Sequence, residues 1–208
     1  GDQMDDIFAS FKSNGITDLV LDLRFNSGGS EISANNLSSL IGSGVNNSKI
    51  FARKQYNPEV EKAILDEPDL GEEFLNAPFT NKSSNVGNQL GNNRVYVLTS
   101  HRSASASELV INALKPFMDV FIIGDTTYGK NVGSISLYEQ TNKDNKWGMQ
   151  PIVVRVANAL GESDYSEGFV PNIVNKDNRL FLYPLGDPRE ALLGLAIGQI
   201  TGTATTGR

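Results

Sequence analysis

Three short apolar runs, residues 19–21, 95–98 and 120–123, each lead into a loop rich in glycine or serine, residues 24–30, 100–107 and 124–130. Continuous apolar runs of this length mark strands buried on both faces. The first two loops are followed by helical patterns: Leu37, Leu40 and Ile41 after one, and Ala106, Leu109, Val110, Ala113 and Leu114 after the other. Strands alternating with helices predict an α/β domain with a parallel sheet, whose strand C-termini share one edge where sites gather. The three loops should therefore converge.

Elsewhere the pattern predicts an opening helix through Met4, Ile7, Phe8 and Phe11, a strand over 49–56 and a weak acidic helix over 59–65. Residues 42–93, rich in Asn, Ser, Glu and Pro, read as a surface excursion. Strands are expected over 132–139 and 149–157, joined by a polar hairpin. Asp187, Pro188 and Glu190 form the signature of a helix start with Asp187 as N-cap, leading through Leu192, Leu193, Ala196 and Ile197. The tail from Thr201 is expected to be disordered, with the folded domain covering 1–202 and 203–208 outside it.

A protein of 208 residues can bury a single core without metal or disulfide. There is no cysteine, which removes thiol nucleophiles and thiolate metal sites while leaving the redox compartment open. A net charge of −6 argues against a nucleic-acid surface, and uncharged partners such as peptides fit better. No apolar run approaches membrane-span length. The opening Gly1, in place of a methionine, suggests a segment of a longer protein.

Each loop has a bland reading and a chemical one. Ser105 and Glu108 have capping-box spacing, yet a serine at a strand-to-helix turn also stands beside the positive N-terminus of a helix, where an oxyanion can be held. Gly28 and Gly29 can make a tight turn, or expose backbone N–H groups to a substrate carbonyl; Gly29 and Ala106 are the candidate donors. A serine nucleophile needs a base. The single histidine, His101, lies only four residues before Ser105 and reads as an ordinary loop or substrate-facing residue. Lysine is the alternative, provided apolar surroundings bring an amine from pKa about 10.4 towards 7, a preference of roughly 4–5 kcal/mol. Lys130 is the best-placed candidate, with Ile122, Ile123 and Val132 flanking its loop, although a solvated loop lysine reads equally well from composition.

Taken together, DLRFNSGG ending at Gly29, SASASE ending at Glu108 and GDTTYGK ending at Lys130 resemble the C-terminal processing peptidases, or tail-specific proteases. GFVPN, ending at Asn172, and PLGDPREALLGLAI, ending at Ile197, look like the family's closing segments. The resemblance implies a crotonase-like, Clp protease-like spiral of strand-strand-helix units. It also implies Ser105 as nucleophile, Lys130 as base in a Ser-Lys dyad, and Gly29 and Ala106 as the oxyanion hole. Substrates would be extended proteins or peptides cut near their C-termini through an acyl-enzyme, with no metal or other cofactor. The setting would be extracytoplasmic, in a bacterial periplasm or envelope, with PDZ and N-terminal regions upstream of the catalytic core. Two positions depart from the pattern: Ser134 stands where a glutamine is common, and Asn172 where an aspartate is usual, so no third catalytic residue is assigned.

Two other readings are weighed. Residues 124–130 match most of a phosphate-binding P-loop, but Asn131 replaces the magnesium-binding Ser or Thr and a strand pattern follows where a helix is needed. The second keeps the fold without the chemistry, as a peptide-binding scaffold.

Overall fold

The structure, a computed structural model, describes residues 2–67, 69–177 and 182–203. In sequence order its elements are α1 (Asp2–Ser13), β1 (Val20–Asp22), α2 (Glu31–Ile41), β2 (Ile50–Gln55), α3 (Pro58–Asp66), α4 (Gly71–Leu75) and β3 (Asn76–Pro78). Two 3₁₀ turns then lead to β4 (Arg94–Thr99), α5 (Ala106–Leu114), β5 (Asp119–Gly124), β6 (Val132–Ser134), β7 (Leu137–Tyr138), β8 (Gly148–Met149), β9 (Ile152–Ala157), β10 (Ile173–Val174) and α6 (Ala191–Thr201).

One sheet has the order β1-β4-β5-β10, and every pairing in it is parallel. Its central strand β4 shows why the apolar run is continuous. Val95 and Val97 point into one core with Ile111 and Leu114 of α5, while Tyr96 and Leu98 point into a second with Leu192, Leu195 and Ala196 of α6. Alternate side chains thus meet different helices, and both faces are covered. The expected α/β architecture with a parallel sheet is what the protein adopts.

A second sheet, ordered β3-β2-β9-β6, is antiparallel and shares a core with the first. It corrects the reading of 42–93 as a surface excursion. Phe51 of β2 and Phe79 are fully buried and meet edge-to-face at 5.5 Å, so this polar segment delivers aromatic side chains to the main core. The long strands expected over 132–139 and 149–157 are each split in two. Pro151 cannot donate to a ladder, and β7 and β8 pair with each other as a separate ribbon.

The start of α6 also differs from expectation. Glu190, not Asp187, is the N-cap, with its carboxylate accepting from Leu193 N–H at 3.3 Å. Asp187 instead accepts from Arg189 N–H at 2.9 Å, forming a turn before the helix. Thr201 belongs to α6 and Gly202 caps it in a left-handed conformation, whereas 204–208 of the expected tail lie outside the described residues.

Candidate active site

The C-terminal ends of β1, β4 and β5 carry the three loops, and hydrogen bonds join each to the next. Ser100 Oγ donates to the Arg24 carbonyl at 2.5 Å, Ser103 Oγ to Leu23 at 2.8 Å and Ser107 Oγ to Asn26 at 2.8 Å. The flanking serines of the SASAS run therefore bind the first loop to the second. The third loop joins through Tyr128 N–H, which donates to the Ser103 carbonyl at 3.0 Å, and through Thr99 Oγ1, which donates to the Asp125 carbonyl at 2.8 Å.

Ser105 sits at the N-cap of α5 with φ 56° and ψ −113°, a conformation that L-residues rarely adopt. Such strain costs on the order of 1–3 kcal/mol and persists only where the surroundings fix it. Here Glu108 Oε2 accepts Ser105 N–H at 2.9 Å, the glutamate's part in the capping-box arrangement. Gly28, at φ +113°, lies against the other side of the turn. Asn26 Oδ1 accepts Gly28 N–H at 2.9 Å and holds that glycine in place.

A cleft of about 160 Å³ is lined by Gly29, Ser105, Ala106 and Lys130, all four of the residues singled out in the sequence. Its apolar wall comes from Leu109, Val132, Val156 and Tyr165. Neither Gly29 nor Ala106 gives its N–H to an acceptor among the described residues, and a side chain at Gly29 would meet nothing within 4 Å. Two unengaged donors therefore flank the serine, as stabilisation of an oxyanion requires.

The surroundings of Lys130 differ from those expected. Ile122 and Ile123 are buried in the two cores on opposite faces of β5, so of the three flanking apolar residues only Val132 shares the cleft with the lysine. Lys130 is solvent-exposed, and its amine forms no ion pair or hydrogen bond among the described residues. His101 is exposed beside Tyr128, ring centroids 5.8 Å apart, and does not line the cleft. Asn172, where an aspartate is usual, binds backbone: its Oδ1 accepts Ile122 N–H at 2.7 Å. Exposed Ser134 ends β6.

Two features were missed in the sequence. Glu108, read in the sequence only as a capping residue, is completely buried and bonds to the lysine loop as well as to the serine turn. Buried Tyr165 in the cleft wall stacks on Phe169 at 4.7 Å, and burial, then the nearby charge of Glu108, push its phenol pKa well above the ordinary value. The available signal was an acidic residue on a helix otherwise buried nearly all round.

Comparison with known proteins places the chain in a family and a fold. The profile of peptidase family S41 matches residues 1–174. A candidate S41 protease of Bacteroides fragilis NCTC 9343 superposes with a TM-score of 0.77 at 29% identity, over 98% of this protein and 50% of that one. The photosystem II D1 C-terminal processing protease shares the fold at 18% identity and TM-score 0.58, over 83% of this protein and 38% of that one. So does a candidate peptidase of Parabacteroides merdae ATCC 43184, at 19% identity and TM-score 0.58, covering 99% and 59%. The 208 residues thus span about half the length of the B. fragilis protein. No curated protein sequence matches them.

Proposed function

The protein belongs to peptidase family S41, and from that premise we propose that it is a serine endopeptidase working through a Ser105–Lys130 dyad. The observation that carries the reading is that one cleft is lined by a strained serine and by a lysine and two backbone donors that, among the described residues, have no ion pair and no acceptor respectively. Lys130 takes the Ser105 proton as the hydroxyl attacks a peptide carbonyl, and the Gly29 and Ala106 N–H groups hold the oxyanion. The protonated amine then gives its proton to the leaving group. Water, activated by the same lysine, releases the acid from the Ser105 ester.

Because Lys130 is open to solvent in the free protein, the desolvation this chemistry needs comes in our reading from the substrate itself, lying extended across the cleft. We also assign a preference for cleavage near substrate C-termini, a crotonase-like spiral fold, an extracytoplasmic setting and PDZ and N-terminal regions upstream, all on the family resemblance. No helix among the described residues is long and apolar enough to cross a membrane.

The test is hydrolysis of fluorescein-labelled casein and of a quenched-fluorescent peptide library. Ser105→Ala and Lys130→Ala should each lower turnover by about 10³-fold or more while leaving the fold intact. Undiminished cleavage by Ser105→Ala would remove the nucleophile assignment, and peptide binding without turnover by the wild type would favour a scaffold.

A further inference from the structure

Glu108 is 0% exposed, yet it forms no ion pair among the described residues. A buried carboxylate without a counter-ion is costly unless hydrogen bonds replace the water it loses. Glu108 has four. Oε1 accepts Thr127 Oγ1–H at 2.6 Å and Gly129 N–H at 2.6 Å; Oε2 accepts Ser105 N–H at 2.9 Å and Lys130 N–H at 2.8 Å. A carboxylate offers about four lone-pair sites, so its capacity is filled.

The donors come from two loops on neighbouring strands. One is the Ser105 turn after β4, and the other is the Lys130 loop after β5. Oε2 alone bridges the backbones of Ser105 and Lys130. Thr127 extends the link, since its Oγ1 also accepts Phe169 N–H at 2.8 Å.

We infer that Glu108 is a positioning residue, whose buried carboxylate fixes the Lys130 loop to the Ser105 turn and so sets the separation of amine and hydroxyl. The inference rests on the Ser-Lys reading. It goes beyond helix capping, which accounts for one of the four bonds. Glutamine is not a neutral replacement, because its NH₂ would face N–H or O–H donors that the second carboxylate oxygen now accepts.

The experiment uses the intact 208-residue chain and the best-cleaved quenched-fluorescent peptide from the library. Glu108→Gln should lower kcat about 100-fold with KM within about threefold, since the cleft wall is untouched. Thr127→Val, which removes one donor, should lower kcat about tenfold, and Thr127→Ser should restore it; this pair decides the matter if Glu108→Gln does not fold. Amide hydrogen exchange gives a readout independent of turnover. Protection at Ser105 N–H and at Gly129 and Lys130 N–H should fall together in the weakened variants. Unchanged kcat, a rise in KM matching the fall in kcat, or protection lost in only one loop would overturn the proposal. If the wild type cleaves no peptide while protection still falls in both loops, the peptidase reading fails and the coupling stands.

Discussion

Gly28 lies against Ser105 so closely that a Cβ placed on the glycine would stand 2.7 Å from the Ser105 Cβ, and 3.0 Å and 3.1 Å from the Ala104 carbonyl oxygen and Ala106 nitrogen. The glycine also holds φ +113°, which alanine tolerates poorly. Neither the turn nor the loop has room to yield, because serine hydroxyls bind one to the other on both sides of the contact.

Gly28→Ala should therefore displace the Ser105 turn instead of being absorbed locally. The expected result is a loss of about 1–3 kcal/mol in stability together with a fall in kcat of at least 100-fold, read by denaturant unfolding and peptide turnover.

The Ser107 hydroxyl carries the staple nearest the proposed oxyanion donors. Ser107→Ala leaves the Asn26 carbonyl, among the described residues, with only the 3.3 Å bond from Ala104 N–H. The net loss should be about 1 kcal/mol of stability, with a roughly tenfold fall in kcat as Gly29 drifts from Ala106. Equal activity in Ser107→Ala and wild type would show that the loop holds its place without this bond.

Arg24 joins the site to the far end of the sequence. Its buried guanidinium bonds to Asp22 at 2.6 Å and to Glu190, with Asp177 3.8 Å away. The hydrogen bonds to Asp22 and to Glu190 outweigh burial and push its pKa up further. Arg24→Met would leave the Glu190 carboxylate at the start of α6 buried without its cation. Stability should fall by about 3–5 kcal/mol, a decrease in melting temperature on the order of 10 °C for a domain of this size. The additional variant Glu190→Gln should recover part of that loss, which a thermal melt of the double variant checks.

Much of the site's outline is legible in the sequence because it depends on local pattern. A buried strand shows itself as an apolar run, a sharp turn as glycine, and a parallel sheet then forces the loops together. What depends on distant partners is not legible. The fourfold bonding of Glu108 is set by residues 19, 21 and 22 positions away as well as by its own turn. The burial of Phe51 and Phe79 follows from sheet pairing that composition averages out. The solvent exposure of Lys130 could not be read from flanking isoleucines, because β5 sends Ile122 and Ile123 to the cores on its two faces.

Tyr165 gives a pH dependence with a definite sign. Its phenol is held protonated in the folded protein, first by burial and then by the Glu108 charge, so its folded pKa is raised above the unfolded value of 10.0. Between the unfolded and folded values the native state binds more protons than the unfolded state, and stability falls as pH rises. The stabilisation is fully present below about pH 10 and declines above it. Tyr165→Phe should flatten that alkaline decline, measured by denaturant unfolding from about pH 8 to 12.

Lys130→Arg separates charge from basicity. Arginine keeps the positive charge at the cleft but does not give up its proton in a protein, so it cannot accept one from Ser105. If the lysine serves only as a fixed cation beside the oxyanion, the arginine variant should retain much of the wild-type kcat. If it is the base, turnover should fall to the level of Lys130→Ala, about 10³-fold or more below wild type. Because the Lys130 side chain is exposed and makes no ion pair among the described residues, neither change should disturb the fold. Loss of activity with an unchanged melting temperature would thus report on proton transfer, and an active arginine variant would take the lysine out of it.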